Sequence, residues 1–225
     1  MDKNIRMILV ELRSSIFPPE SVDFPINSHG DRIDQIESGI INFVEKLGEI
    51  SKKDNIDLYF SDNTIIDDFH IPEKISKLLK LNFINTSCKI KNDFGPKNKG
   101  AGLIEMWLSN IEIIEKYKWI IYFEPRTLLK DKFFIEECLE FPDNRFKVLN
   151  ENGNLHFYTG LFMIESKILI EFCRSVDIND MINKKICIEK SLKDFMDTRY
   201  PNYSKYENKL NIIWHDVAQN RFIEF

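Results

Sequence analysis

Short apolar runs alternate along the chain with longer stretches in which apolar residues recur every three or four positions. That is the pattern of buried strands joined by amphipathic helices. Ile5 to Leu12 is the first dense run and reads as a buried strand. Residues 14–31 hold three prolines, two of them adjacent, and read as a loop. From about Asp31 to Lys53, Ile33, Ile36, Ile40, Phe43, Val44, Leu47 and Ile50 line one face of a helix. Ile56 to Phe60 reads as a second strand, closed by Ser61-Asp62-Asn63-Thr64. A short helix follows Pro72, and Leu81 to Ile84 reads as a third strand. The turn-rich segment Asp93 to Gly100 feeds a helix expected over Ala101 to Tyr117. Trp119 to Phe123 reads as a central strand that stops at Glu124-Pro125-Arg126. A helix over Lys132 to Glu140, strands at Phe146–Leu149 and Phe157–Ile164, helices at Lys167–Val176 and Lys184–Thr198, and a short strand at Ile212–Trp214 complete the reading.

The βαβα order of the first half predicts a mixed, mostly parallel sheet flanked by helices, in one α/β domain spanning residues 1–225. Open sheets of this kind take ligands beyond the C-terminal ends of their strands. Four polar clusters fall there: Glu11 with Arg13, Ser61 to Thr64, the 93–100 loop, and Glu124 to Arg126.

Composition narrows the classes. With 43% hydrophobic residues in 225, a sizeable core can be buried, while only 8 Gly and 8 Pro argue against a turn-rich all-β protein. The net charge of -5 is interspersed, with no basic arm. This excludes general nucleic-acid binding and leaves room for a local phosphate site. Cys88, Cys138, Cys173 and Cys187 form no CxxC pair and no zinc spacing, and read as buried reduced thiols. The polar start, the early Glu11 and Arg13, and the lack of any run near the length of a membrane span predict a cytoplasmic protein without a transmembrane segment. Peripheral membrane association stays open.

The order of several motifs resembles that of GT-A-fold (Rossmann-like) glycosyltransferases over about residues 4–196. Ser61-Asp62-Asn63-Thr64 is similar to the family's Asp-Asn-Ser/Thr turn, and Asn98-Lys99-Gly100-Ala101-Gly102-Leu103 to its donor-side helix start. Trp119 to Leu129 resembles the strand that runs into the Asp-x-Asp motif. Phe157 to Ile164 resembles the strand lining the acceptor side, and Ile188-Glu189-Lys190-Ser191-Leu192 the helix start that supplies a catalytic carboxylate. The resemblance implies a nucleotide-sugar donor, a glycan acceptor and transfer of a sugar, as in surface polysaccharide synthesis.

It also implies roles for residues. Glu11, Arg13, Asp62, Lys97, Lys99, Gly100, Glu124 and His215 are the expected donor contacts, Tyr158, Thr159 and Gly160 the acceptor contacts, and Glu189 and Arg126 the catalytic pair. Asp62 is expected either to hold a base N–H or to close an Asx-turn. Lys97 and Lys99 flank a helix start suited to a diphosphate, or belong to a solvated loop. Glu124-Pro125-Arg126 stands where the family has Asp-x-Asp, whose carboxylates hold Mg²⁺ or Mn²⁺. An arginine binds no metal but grips phosphate through two parallel hydrogen bonds. Arg126 is therefore expected to replace part of the metal's charge, leaving metal dependence weak or absent. The other reading keeps Glu124 as a metal ligand and pairs Arg126 with a structural carboxylate. Nucleotidyl transfer and a non-catalytic scaffold are the competing functions. The first needs a Gly-rich signature that Ser14 to Pro19 lacks.

Overall fold

The computed structural model describes residues 6–17, 29–51, 56–88, 92–216 and 221–224. In chain order the elements are β1 (Arg6–Ser14), α1 (His29–Gly48), β2 (Ile56–Asp62), α2 (Glu73–Leu81), β3 (Asn85–Cys88), α3 (Lys99–Ser109), α4 (Ile111–Ile114), β4 (Tyr117–Phe123), β5 (Thr127–Leu129), α5 (Phe133–Glu140), β6 (Arg145–Phe146), β7 (Val148–Glu151), β8 (Asn154–Phe157), β9 (Leu161–Glu165), α6 (Ser166–Ser175), α7 (Ile178–Asn183), α8 (Ile188–Arg199), β10 (Ser204–Lys205), β11 (Ile212–Asp216) and β12 (Arg221–Glu224). The central sheet has the order β10-β6-β9-β4-β1-β2-β3. Strands β4, β1, β2 and β3 are parallel, and only β9 runs against its neighbours. The expected mixed, mostly parallel sheet is therefore what the chain builds.

Alternation along β1 explains the two layers. Ile8, Val10 and Leu12 pack with Ile36, Ile40 and Phe43 of α1 and with α2 and α5. Leu9 faces the opposite layer, where Trp107 of α3 and Phe172 of α6 meet Tyr122 and Phe162 from the sheet. The strand registers bring Ser14 beside Asp62, and Leu12 beside Phe123, so the C-terminal ends of β1, β2 and β4 share one edge.

Several elements differ from the sequence reading. The third strand starts at Asn85, because Phe83 takes a left-handed φ of 54° and Ile84 N–H donates to Leu79 O at 2.9 Å, closing α2. The expected 101–117 helix breaks at Asn110, whose side chain accepts from Ser87 at 2.8 Å. The expected Phe157–Ile164 strand splits into β8 and β9 around Tyr158-Thr159-Gly160. Finally, β7 and β8 form a hairpin whose turn residues Asn152 and Gly153 have φ of 52° and 86°, the signature of a tight hairpin turn.

Helix α1 seats the turn after β4. A Cβ on Gly39 would lie 1.7 Å from the Pro125 carbonyl oxygen, and Asn42 both accepts from and donates to the Leu129 backbone. Gly39→Ala is expected to cost about 1–3 kcal/mol through overpacking, read as a lower denaturant midpoint. A variant as stable as the parent would contradict this contact.

Candidate functional site

Beyond β4, Glu124 and Arg126 are half-buried and paired with each other. Arg126 Nε donates to Glu124 Oε1 at 2.7 Å, and a terminal guanidinium nitrogen reaches the same oxygen. Burial alone would raise the Glu124 carboxyl, but Arg126, Arg13 and then Arg32 outweigh it and hold the group below its ordinary value. Arg32 was not among the sequence candidates. It lies in the first turn of α1, is buried, and donates to Ser15 O at 2.7 Å. Burial first, then repulsion from Arg126, lowers it to about 10, so it stays charged at neutral pH. Arg13, at the end of β1, lies within the field of Tyr122, Glu124, Asp62 and Glu11.

The Glu124 backbone N–H donates to Gly160 O at 2.9 Å, stitching β4 to the start of β9. Here a cavity of about 620 Å³ opens. Its lining includes Glu124, Phe157, Tyr158, Thr159, Gly160 and Glu189. Thr159 donates to Glu189 Oε1 at 3.1 Å, so β8–β9 and the first turn of α8 meet across it. A Cβ on Gly160 would lie 2.3 Å from Tyr158 Oη, so the glycine lets that ring fold back over the chain. The three expected acceptor contacts and the expected base thus share one cavity with Glu124.

Other candidates land elsewhere. Asp62 is fully buried. Its oxygens accept from Ser14 Oγ, from Ile16 N–H at 2.8 Å, and from Thr64 N–H and Oγ1 at 2.7 and 2.6 Å. It has the Asx-turn geometry and shapes the loop after β1. Both of its oxygens are taken by protein donors. Glu11 is buried beneath α3, accepting from Ser61 at 2.7 Å and from the Trp107 indole at 3.0 Å. It is a core carboxyl whose oxygens are held by Ser61 and Trp107.

Gly100 is buried, and a Cβ there would meet Met181 Cε at 2.5 Å and Ile188 Cβ at 2.9 Å. Asn98 caps α3 by accepting from Ala101 N–H at 3.1 Å and donates to Ile186 O at 3.0 Å. The start of α3 is therefore packed against α7 and α8, which corrects its reading as an open diphosphate cradle. Lys97 and Lys99 are exposed on that loop. His215 lies on β11, and its side chain falls outside the described residues. Cys88, Cys138 and Cys173 are buried free thiols, whereas Cys187 is exposed and lines the cavity.

Burial pushes the Glu11 carboxyl up, with Ser61, Trp107 and Arg13 pulling the other way. A raised folded value means full stability below the ordinary 4.5, lost as pH rises through the folded value. Glu11→Gln is expected to remove that loss. Urea midpoints compared between acidic and mildly alkaline pH check it, and an unchanged pH slope would count against it.

A seven-stranded, mostly parallel sheet flanked by helices, with its polar edge beyond β1, β2 and β4, is a fold of the GT-A-like kind. Two solved structures illustrate it. A cytidylyltransferase from Leptospira borgpetersenii serovar Hardjo-bovis (strain JB197) is similar over 97% of this chain and 81% of that chain, with TM-score 0.50 and 11% identity. Mouse xyloside xylosyltransferase 1, in its apo form, is similar over 96% of this chain and 98% of that one, with TM-score 0.50 and 8% identity. At such identities the likeness is one of fold. No family model matches the sequence, and no curated protein matches it. No helix among the described residues is long and apolar enough to cross a membrane.

Proposed function

We propose that the chain is a glycosyltransferase that moves a sugar from a nucleotide-sugar donor to a hydroxyl of a glycan acceptor, in surface polysaccharide synthesis at the cytoplasmic side. The observation that carries this is the shared cavity, lined by Glu124 at the end of β4 together with Thr159, Gly160 and Glu189, with Arg126 bonded to Glu124. The donor diphosphate lies against Arg126 and Arg13, and the acceptor against Tyr158, Thr159 and Gly160. Lys97 and Lys99 add positive charge at most. The acceptor oxygen attacks C1 of the sugar while the bond to the diphosphate oxygen breaks and takes the electron pair. Glu189 receives the acceptor's proton, and because the acceptor oxygen attacks the face opposite the departing phosphate, the configuration at C1 inverts. Arg126 offsets the charge that grows on the departing phosphate.

A thermal-shift screen of nucleotides and nucleotide-sugars tests the reading, because ligands that bind the folded form raise the melting temperature. A shift is expected for at least one nucleoside diphosphate, blunted in Arg126→Ala. No shift with any of them at millimolar concentration sinks the proposal. Release of pyrophosphate instead of a nucleoside diphosphate in turnover would identify nucleotidyl transfer.

A further inference from the structure

Three guanidiniums share one carboxylate at the C-terminal edge of the sheet. Arg126 is bonded to Glu124 through its fork, while Arg13 and Arg32 act on the same carboxylate through their fields. The Nε of Arg13 is buried and has no hydrogen-bond partner. Arg32 is repelled by both Arg126 and Arg13. Glu124, Asp62 and Glu11 oppose these cations, yet Arg32 still carries the repulsion of Arg126 and Arg13, which an anion of higher charge would relieve.

The divalent ion that the fold class implies does not suit these residues. Mg²⁺ or Mn²⁺ wants several oxygen ligands. Here Arg126 stands where a second carboxylate would be and already occupies Glu124. Among the described residues, no group of three or more His, Cys, Asp or Glu side chains is placed to hold a metal.

We propose that Arg13 and Arg126, with Arg32 as a charge behind them, clamp the donor's diphosphate without a divalent metal, and that Glu124 is the clamp's internal counter-ion, which competes with the incoming phosphate. This rests on the nucleotide-sugar reading above. A diphosphate brings more negative charge than a carboxylate and oxygens that fit the forked N–H groups. Its arrival frees Glu124 from Arg126, leaving the carboxylate to the cavity that it already lines.

The two roles for Glu124 predict opposite signs. A metal ligand would lose donor affinity on becoming Gln, whereas a competing counter-ion would gain it. Calorimetric titration of the full chain with inorganic pyrophosphate and with nucleoside diphosphates, in EDTA and then in Mn²⁺, measures this. Wild type is expected to bind equally in both buffers, and Glu124→Gln about tenfold more tightly. The buffer comparison on wild type needs no variant and stands even if Glu124→Gln folds poorly. Binding that appears only with Mn²⁺, or that weakens or stays unchanged in Glu124→Gln, overturns the clamp while leaving the sugar-transfer reading in place. Metal-free pyrophosphate binding strengthened in Glu124→Gln, without affinity for any nucleoside diphosphate, upholds the clamp and removes that reading. No binding of either probe by wild type or variant overturns both.

Discussion

Glu189→Gln is expected to lower turnover by roughly 10²–10⁴-fold, the usual contribution of a general base, with nucleotide affinity unchanged. The amide keeps an oxygen for the Thr159 hydroxyl, which donates to Glu189 at 3.1 Å, so the first turn of α8 holds its place. What it cannot do is take a proton from an acceptor hydroxyl in the cavity that Glu189 shares with Glu124 and Gly160. A split in which kcat falls and the dissociation constant of the nucleotide does not is the signature of a group acting in the chemical step. A variant that keeps most of the parent's turnover would take Glu189 out of the chemistry.

Asp62→Ala is expected to cost roughly 3 kcal/mol of folding stability, because removing a buried acceptor leaves its donors unsatisfied. Four donors lose their partner: Ser14 Oγ, Ile16 N–H, Thr64 N–H and Thr64 Oγ1. The first two fix the loop that leaves β1 beside Arg13, and the Thr64 pair closes the turn after β2. Denaturant unfolding checks the loss. Nucleotide binding measured well below the melting temperature separates this role from ligand contact. A variant with parental stability and abolished binding would restore Asp62 as a direct donor contact.

The sheet was legible because buried parallel strands are continuous apolar runs, and Trp119 to Phe123 is one. One wall of the cavity was also legible, since Tyr158, Thr159, Gly160 and Glu189, all singled out from the sequence, line it. The hairpin turn at Asn152-Gly153 carried its own signal, a dipeptide that favours positive φ at both positions, and could have been found. Arg32 could not. A charged residue in the first turn of a helix reads as solvent-facing, and its burial against Ser15 depends on tertiary packing. The long-range part of Asp62's bonding was illegible for a similar reason. Its local Asx-turn bond to Thr64 was foreseeable, but the bonds to Ser14 and Ile16 come from 46 to 48 residues away. The start of α3 has the residues of an anion cradle, yet Met181 and Ile188 from the far end of the chain occupy that space.

The seat of Pro125 on Gly39 has a consequence for selectivity. One rod carries both the bare α-carbon that receives the turn and, two turns earlier, Arg32. The gap between that charge and Arg126 is thus gauged by main-chain contact instead of by pliable side chains. In the clamp proposed above, a pocket calibrated in this way selects anions by length, and swapping the turn's side chains alters what is gripped without moving where.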